Sequence, residues 1–373
     1  MKIGVLTSSR ADYGIYFSLL SELKKDNFFD LEIIAFGTHL SEKHGFTLSN
    51  ITKDGYKKIH EINSLAEDDS EKGIAISYAN TVLSFSDFWS IQKFDLVFCL
   101  GDRFEMSAAV QASIPFGVKL AHIHGGETTL GAIDNIYRHQ ISLASKYHFV
   151  STNYYFQKVQ QLVDNSDFVY NVGSLSLSNI ETFKPKVRSI FFKNFGIKEA
   201  PYVLVTFHPE TIHAQNNFAF AKIMRDVLTI LCKKINVVVT MPNADTFGSI
   251  YRKELNLLKI SNPEKVLLIE NFGKINYFNA IFYSNLLIGN TSSGIIEAAS
   301  FNKYVINVGD RQKGRAHGIN VFNTPFNSQK IIEIFDKLIT ERDIEIENIY
   351  FKKNTEKKII SILKKIKTKQ FIT

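Results

Sequence analysis

Three acidic side chains stand where a chain of this length could do proton chemistry. Asp102 lies in Gly101-Asp102-Arg103-Phe104-Glu105, directly after the run Asp95–Leu100. Glu127 follows His122-Ile123-His124-Gly125-Gly126, at the end of the run Val118–Ile123. Asp134 opens Asp134-Asn135-Ile136-Tyr137-Arg138-His139, with Arg138 four residues on. Carboxylates so placed can remove a proton, direct a water or stabilise a cationic carbon. Each also has a plain structural reading. Asp102 before a helix can be its N-cap. Asp134 and Arg138 share a helix face and can form an i,i+4 ion pair, worth a few tenths of a kcal/mol if exposed. His122 and His124 form an H-x-H pair, which reads either as a metal site lacking its further ligands or as core histidines.

A second set of loops is cationic or hydroxyl-rich and suits an anion. Arg10 sits in Thr7-Ser8-Ser9-Arg10-Ala11-Asp12-Tyr13-Gly14, where a strand feeds a helix. Arginine offers a planar fork matched to phosphate; the bland alternative is a surface arginine. His208 is held extended by Pro209 in Phe207-His208-Pro209-Glu210, ready to meet phosphate or donate a proton. Met241-Pro242-Asn243-Ala244-Asp245 is another polar strand-end loop. The strongest local signal is Gly289-Asn290-Thr291-Ser292-Ser293-Gly294-Ile295-Ile296-Glu297. There, hydroxyls and helix N–H groups can cradle a diphosphate, and Glu297 can accept from ribose hydroxyls. A ligand-free helix cap is the alternative. Gly309-Asp310-Arg311-Gln312-Lys313-Gly314-Arg315 adds cationic groups.

These loops need strands behind them. Runs at Ile3–Thr7, Leu31–Phe36, Asp95–Leu100, Val118–Ile123 and His148–Val150 alternate with helical periodicity at Ile15–Lys25, Phe104–Ile114 and Asp134–Ser145. The pattern restarts with Tyr202–Phe207, Ile235–Met241, Val266–Ile269, Leu286–Ile288 and Tyr304–Val308, the last clear strand. Continuous apolar strands between helices predict parallel sheets covered on both faces. The fold class is therefore α/β, with two Rossmann-like, doubly wound domains expected to face a cleft. Ligands of such sheets sit beyond the carboxyl ends of the strands. The junction falls near Val172–Lys186, giving a first domain of 1–172 plus 353–373 and a second of 173–352.

Composition narrows the class. The chain has 373 residues, 45% hydrophobic and 22% charged, the balance of a globular protein. Its two cysteines lie in apolar runs, which predicts buried thiols in a reducing compartment. No signal-peptide pattern or membrane-length apolar run is read, so a cytoplasmic location is expected, with no membrane partner. The net charge of +7 is fed by lysines near the C-terminus. Ile359, Ile360, Leu363 and Ile366 recur there at helical spacing, which favours a packed helix with a solvated basic face over a nucleic-acid-binding tail.

The segments SSRADYG, GDRFE, HIHGGE, GAIDNIYRH, FHPET, MPNAD, GNTSSGIIE and NVGDRQKGR, in order from Ser8 to Arg315, resemble the hydrolysing UDP-N-acetylglucosamine 2-epimerase family. The resemblance implies a GT-B fold with a C-terminal helix crossing back to the first domain. It implies that UDP is held mainly by the second domain. By motif position, Arg10, Arg103, His208, Asn243, Phe272, Thr291, Ser292, Glu297 and Arg311 correspond to nucleotide contacts. Asp102, Glu127 and Asp134 correspond to the carboxylates working on the sugar, with Arg138 and His208 beside them in the catalytic set. No kinase domain follows, so the chain looks like a bacterial-type stand-alone epimerase. Family members are commonly homo-dimers or homo-tetramers.

The implied reaction converts UDP-N-acetylglucosamine to N-acetylmannosamine and UDP, in sialic-type acid biosynthesis. The C2 proton of such a sugar has no flanking carbonyl. Breaking the C1–O bond to UDP acidifies it, giving a 2-acetamidoglucal to which water adds with inverted C2 configuration. Arginines and helix N–H groups would stabilise the departing diphosphate. No redox cofactor is required, and no metal. The same reaction on UDP-N,N'-diacetylbacillosamine (the legionaminic acid pathway), a GDP-linked donor, a non-hydrolysing epimerase, a GT-B glycosyltransferase, a metal-dependent amidohydrolase on His122 and His124, and a nucleotide sensor stay open.

Overall fold

A strand covered on both faces has no use for polar alternation, and the continuous aliphatic runs of this chain close into parallel sheets. The computed structural model describes residues 1–42, 45–66, 68, 70–165, 167–178, 180–210, 212, 214–242, 248–341 and 345–370. The chain divides into two units. One comprises Met1–Glu127, Asp134–Glu181 and Tyr350–Thr373; the other comprises Thr128–Ile133 and Thr182–Ile349.

The first unit holds β1 (Lys2–Thr7), β2 (Asp30–Phe36), β3 (Ile59–Ile62), β4 (Leu96–Leu100), β5 (Leu120–Ile123), β6 (Tyr147–Val150) and β7 (Val169–Asn171). Between them run α1 (Arg10–Lys25), α2 (Leu48–Lys53), α3 (Glu71–Ile91), α4 (Phe104–Ser113), α5 (Asp134–Ala144) and α6 (Asn153–Val163). The strands order as β3-β2-β1-β4-β5-β6-β7, all parallel. The order reverses beside β1, the place where doubly wound sheets open a crevice for ligands. Cys99 pairs with His122 and Leu100 with Ile123, so the Asp102 loop leaves β4 beside the His124 loop leaving β5.

The second unit holds β8 (Tyr202–Thr206), β9 (Asn236–Thr240), β10 (Val266–Ile269), β11 (Leu287–Gly289), β12 (Val305–Val308) and β13 (Val321–Thr324). Its helices are α7 (Arg188–Phe195), α8 (Asn217–Leu231), α9 (Gly248–Ser261), α10 (Lys274–Tyr283), α11 (Ser292–Ile296) and α12 (Ser328–Leu338). The order β10-β9-β8-β11-β12-β13 repeats the Rossmann pattern. Segment Thr128–Ile133 docks here through the Leu130 N–H, which donates to Lys313 O at 2.9 Å.

The last helix, α13 (Thr355–Gln370), belongs to the first unit. Ile359 and Leu363 are fully buried in that unit's core with Ile3, Val5, Leu20 and Phe98. Each such burial contributes roughly 1.5–3 kcal/mol. On the same helix, Lys364 pairs with Asp26 and Lys367 with Asp95. The lysine-rich end is thus a packed helix. Among the described residues no helix is long and apolar enough to cross a membrane.

Three strands carry no clear run in the sequence: β3, β7 and β13, all at sheet edges. Tyr304–Val308 is therefore followed by one further strand. An edge strand meets the core on fewer sides and keeps polar residues, as Ile59-His60-Glu61-Ile62 does, so the apolar signal fades.

Candidate active site

Asp102 is aimed by its backbone. Gly101 adopts a left-handed φ of 77°, and its carbonyl takes a 2.8 Å hydrogen bond from His122 Nε2. The N-cap of α4 is Arg103, not Asp102. The Asp102 carboxylate instead receives Arg138 Nη2 in a short charge-assisted bond. Arg138 rises from α5, one turn after Asp134, and its other nitrogen Nη1 reaches both Glu127 Oε2 (3.5 Å) and the His124 carbonyl (3.1 Å). One guanidinium therefore spans two carboxylates. Arg138 and Glu127 side chains are 3% and 2% exposed, whereas Asp102 is 25% exposed. Asp102 is the member of this network that solvent or a ligand can reach.

The surroundings are neutral and fixed. Burial pushes the His122 pKa well below its ordinary value, so its ring is uncharged. Because a carbonyl only accepts, His122 carries its proton on Nε2, and Nδ1 accepts from Ser142 Oγ at 2.9 Å. Burial also lowers His148, to about 4. Ser151 Oγ donates to Glu127 Oε1 at 2.9 Å. His124 lies just past β5 in a left-handed conformation (φ 64°), which ends the strand's alternation. The two rings of the H-x-H pair part company: His122 turns to Gly101 and Ser142, and His124 to Ser174 and Leu175. Among the described residues no three His, Cys, Asp or Glu side chains are grouped to hold a metal ion.

Asp134 is the first residue of α5 and is half-buried. Burial, then Tyr78, Asp134 and Glu105, raise the pKa of Tyr137. Arg10 is exposed on the first turn of α1, whose N-terminus is fixed by a capping box between Ser9 and Asp12. Arg103 Nε donates to the buried Glu105 at 2.5 Å. Cys99 and Cys232 are buried and free.

In the second unit the organiser is Asn290, fully buried after β11. Its side chain takes the His208 N–H (2.7 Å) and donates to the His208 carbonyl (2.8 Å). Its own carbonyl accepts Arg311 Nη1 (3.2 Å) and Gln312 Nε2 (2.9 Å). His208, Arg311 and Gln312 are thus tied to one residue, by its side-chain amide and its backbone carbonyl. Glycine precedes it because a Cβ on Gly289 would lie 1.9 Å from Thr206 O. Thr291 caps α11, accepting from Ser293 N, and Tyr277 bonds Ser293 Oγ at 2.7 Å. Thr291 and Ser292 stay half-exposed, as does Glu297 at the end of α11. The buried Glu210 accepts from Asp310 N (2.6 Å), fixing the loop that carries Arg311. Phe272 is 4% exposed and packs on Phe191 and Phe195. Asn243 lies outside the described residues.

The sequence profile of the family described as UDP-N-acetylglucosamine 2-epimerase matches residues 21–364. The chain belongs to this family. It is 33% identical over 338 residues to the GDP/UDP-N,N'-diacetylbacillosamine 2-epimerase (hydrolyzing) of Campylobacter jejuni, covering 90% of this chain and 87% of that one. It is 32% identical to the polysialic acid biosynthesis protein P7 of Escherichia coli, covering 97% and 93%. The crystal structure of the UDP-GlcNAc 2-epimerase from Neisseria meningitidis bound to UDP-GlcNAc superposes with a TM-score of 0.80 at 21% identity, covering 98% of this chain and 100% of that one. The fold is GT-B, and the chain is an enzyme of the hydrolysing UDP-sugar 2-epimerase type.

In this 2-epimerase the sequence singled out Asp102, Glu127, Asp134, Arg138 and His208; the fold brings Asp102, Glu127 and Arg138 into one bonded group, while His208 is held by Asn290 in the second unit. Sequence reasoning missed Ser151, Asn290 and Glu210 as site builders, and it weighed His124 only as a metal ligand or a core histidine. Asn290 and Glu210 lie inside quoted motifs, where position alone does not say which side chain ties the loops. Ser151 carried no local signal: it reaches Glu127 only because β5 and β6 are sheet neighbours.

Proposed function

We propose that the chain removes UDP from a UDP-linked 2-acetamido-2-deoxy sugar and releases the sugar inverted at C2. The reading is carried by Arg138 joining Asp102 and Glu127, which leaves Asp102 as the reachable carboxylate. In the first step the C1–O bond breaks, its electron pair leaves with UDP, and the C2 proton passes to a carboxylate, giving a 2-acetamidoglucal. In the second step water adds its hydroxyl to C1 while C2 takes a proton on the opposite face. Asp102, Glu127 and Asp134 form the acid–base set, with Arg138 and His208 assisting. The diphosphate is assigned to Thr291, Ser292, Arg311 and His208, with Arg10, Arg103, Asn243, Phe272 and Glu297 completing the nucleotide contacts. Arginine and hydroxyl donors can stabilise departing phosphate charge as preorganised dipoles.

The first donor is UDP-N-acetylglucosamine, in keeping with the family description, yielding N-acetylmannosamine. A second reading, UDP-N,N'-diacetylbacillosamine, is favoured by the Campylobacter relative. Both are offered in heavy water and the freed sugar is followed by NMR. The expected product is free 2-epimeric sugar carrying one deuteron at C2. Sugar released without label excludes elimination, and a UDP-linked epimer excludes hydrolysis. A homo-dimer or homo-tetramer, acting in the cytoplasm, is part of this reading. Exposed Ile76 and Leu83 on α3, and Ile136 and Leu143 on α5, support the assembly, which light scattering of the purified chain checks.

A further inference from the structure

Resting on the reading above, we infer that His124 is a positioning residue for the reaction: its imidazole, locked in the Nδ1–H form, and its carbonyl together hold Glu127 and Arg138 in register behind Asp102. Four observations converge on it. His124 is 5% exposed and adopts φ 64°. A left-handed backbone is uncommon for a residue with a Cβ and persists where the surroundings impose it, often next to functional groups. That turn delivers the His124 carbonyl to Arg138 Nη1 at 3.1 Å. The Leu175 N–H donates to His124 Nε2 at 3.2 Å, with Ser174 Oγ at 3.3 Å from the same atom. Finally, Nδ1 faces Glu127 Oε1 at 3.7 Å.

The Leu175 contact decides the tautomer. A backbone N–H only donates, so Nε2 must present its lone pair and the proton of the neutral ring sits on Nδ1. The ring can therefore give Glu127 a donor but cannot take a proton from it. At 3.7 Å the neutral Nδ1–H stands just beyond hydrogen-bond range of the carboxylate, and a small rotation of the carboxylate closes the gap. Ser151 approaches the same oxygen, while Arg138 takes the other. Glu127 is thus surrounded by donors, and its remaining freedom is rotation about its own terminal bond. His124 limits that rotation. Because Arg138 is shared, any drift of Glu127 passes to Asp102.

The two planar-amide replacements separate this role from a structural one. In His124→Asn the amide nitrogen can stand where Nδ1 stands, and asparagine tolerates the left-handed backbone. In His124→Gln the amide reaches the Nε2 position, keeps an acceptor for Leu175 and removes the donor that position 124 turns toward Glu127. Misplacing catalytic groups by about an ångström costs about 100-fold in rate. We expect His124→Gln to lose about 100-fold in kcat with KM little changed, and His124→Asn to stay within about tenfold of wild type. In a Glu127→Gln background the difference between the two should vanish. If His124→Gln is as active as His124→Asn or more so, the ring serves only to anchor Leu175 and the inference is overturned. Independently of turnover, two-bond 15N–1H spectra of 15N-histidine-labelled wild-type protein, assigned with the Asn variant, should show His124 protonated at Nδ1 and bare at Nε2. The opposite tautomer overturns it whatever the activities of the two variants. A wild-type chain that consumes no donor defeats the reaction reading alone, since the tautomer is still measured.

Discussion

The strand ends of the two units solve the same problem with different materials. In the first unit, charged side chains hold one another: Arg138 spans Asp102 and Glu127, two of the three groups nearly sealed from solvent. In the second, a neutral amide does the holding: Asn290 bonds both polar backbone atoms of His208 and lends its carbonyl to Arg311 and Gln312. A buried ion network costs desolvation and is strongly destabilised by loss of one member. A neutral scaffold carries no such liability, and beside it Thr291 and Ser292 stay half-exposed. The contrast matches the proposed division between proton chemistry and phosphate binding.

The sharpest way to break the comparison is Arg138→Met. It leaves two carboxylates uncompensated, so urea unfolding should show a loss of about 3–5 kcal/mol, accompanied by near-complete loss of turnover. Asp102→Asn keeps the shape and should cost little stability. Its turnover should fall about 10²–10⁴-fold while UDP binding by calorimetry holds, and wild-type-like activity removes Asp102 from the catalytic set. Acid tests the first unit by itself. His148 titrates near 6.5 when unfolded and about 4 when folded, so the unfolded chain takes up the proton first as pH falls. Stability should therefore drop by about 3 kcal/mol between those values and be regained as pH rises through them. His148→Phe should lessen that slope in urea titrations, the buried His122 keeping part of it. Asn290→Ala orphans the His208 backbone, for a loss of about 2 kcal/mol, and UDP affinity should weaken about tenfold. The smallest effect belongs to Ser292→Ala, about threefold in UDP affinity for one exposed hydroxyl.

Central strands and the loops after them were legible in the sequence, because continuous apolar runs bounded by glycine and polar residues admit few other arrangements. The Gly101–Glu105 and Gly289–Glu297 turns were visible for the same reason. Edge strands β3 and β13 were not, since one-sided burial weakens the pattern. Asp102 had two readings in sequence, cap or reagent; the start of α4 at Phe104 with Arg103 as its N-cap set the first aside. His124 looked like half of a metal motif until its backbone turned left-handed and its ring met Leu175.

By itself, then, the sequence determined which residue types gather at the carboxyl ends of which strands, since that follows from local periodicity and turn chemistry. Only the tertiary structure decided who holds whom. The bonds from Arg138 to Asp102, Ser151 to Glu127, Leu175 to His124 and Asn290 to His208 join positions far apart in the chain. Their partners are set by strand order and register, and no local pattern records these.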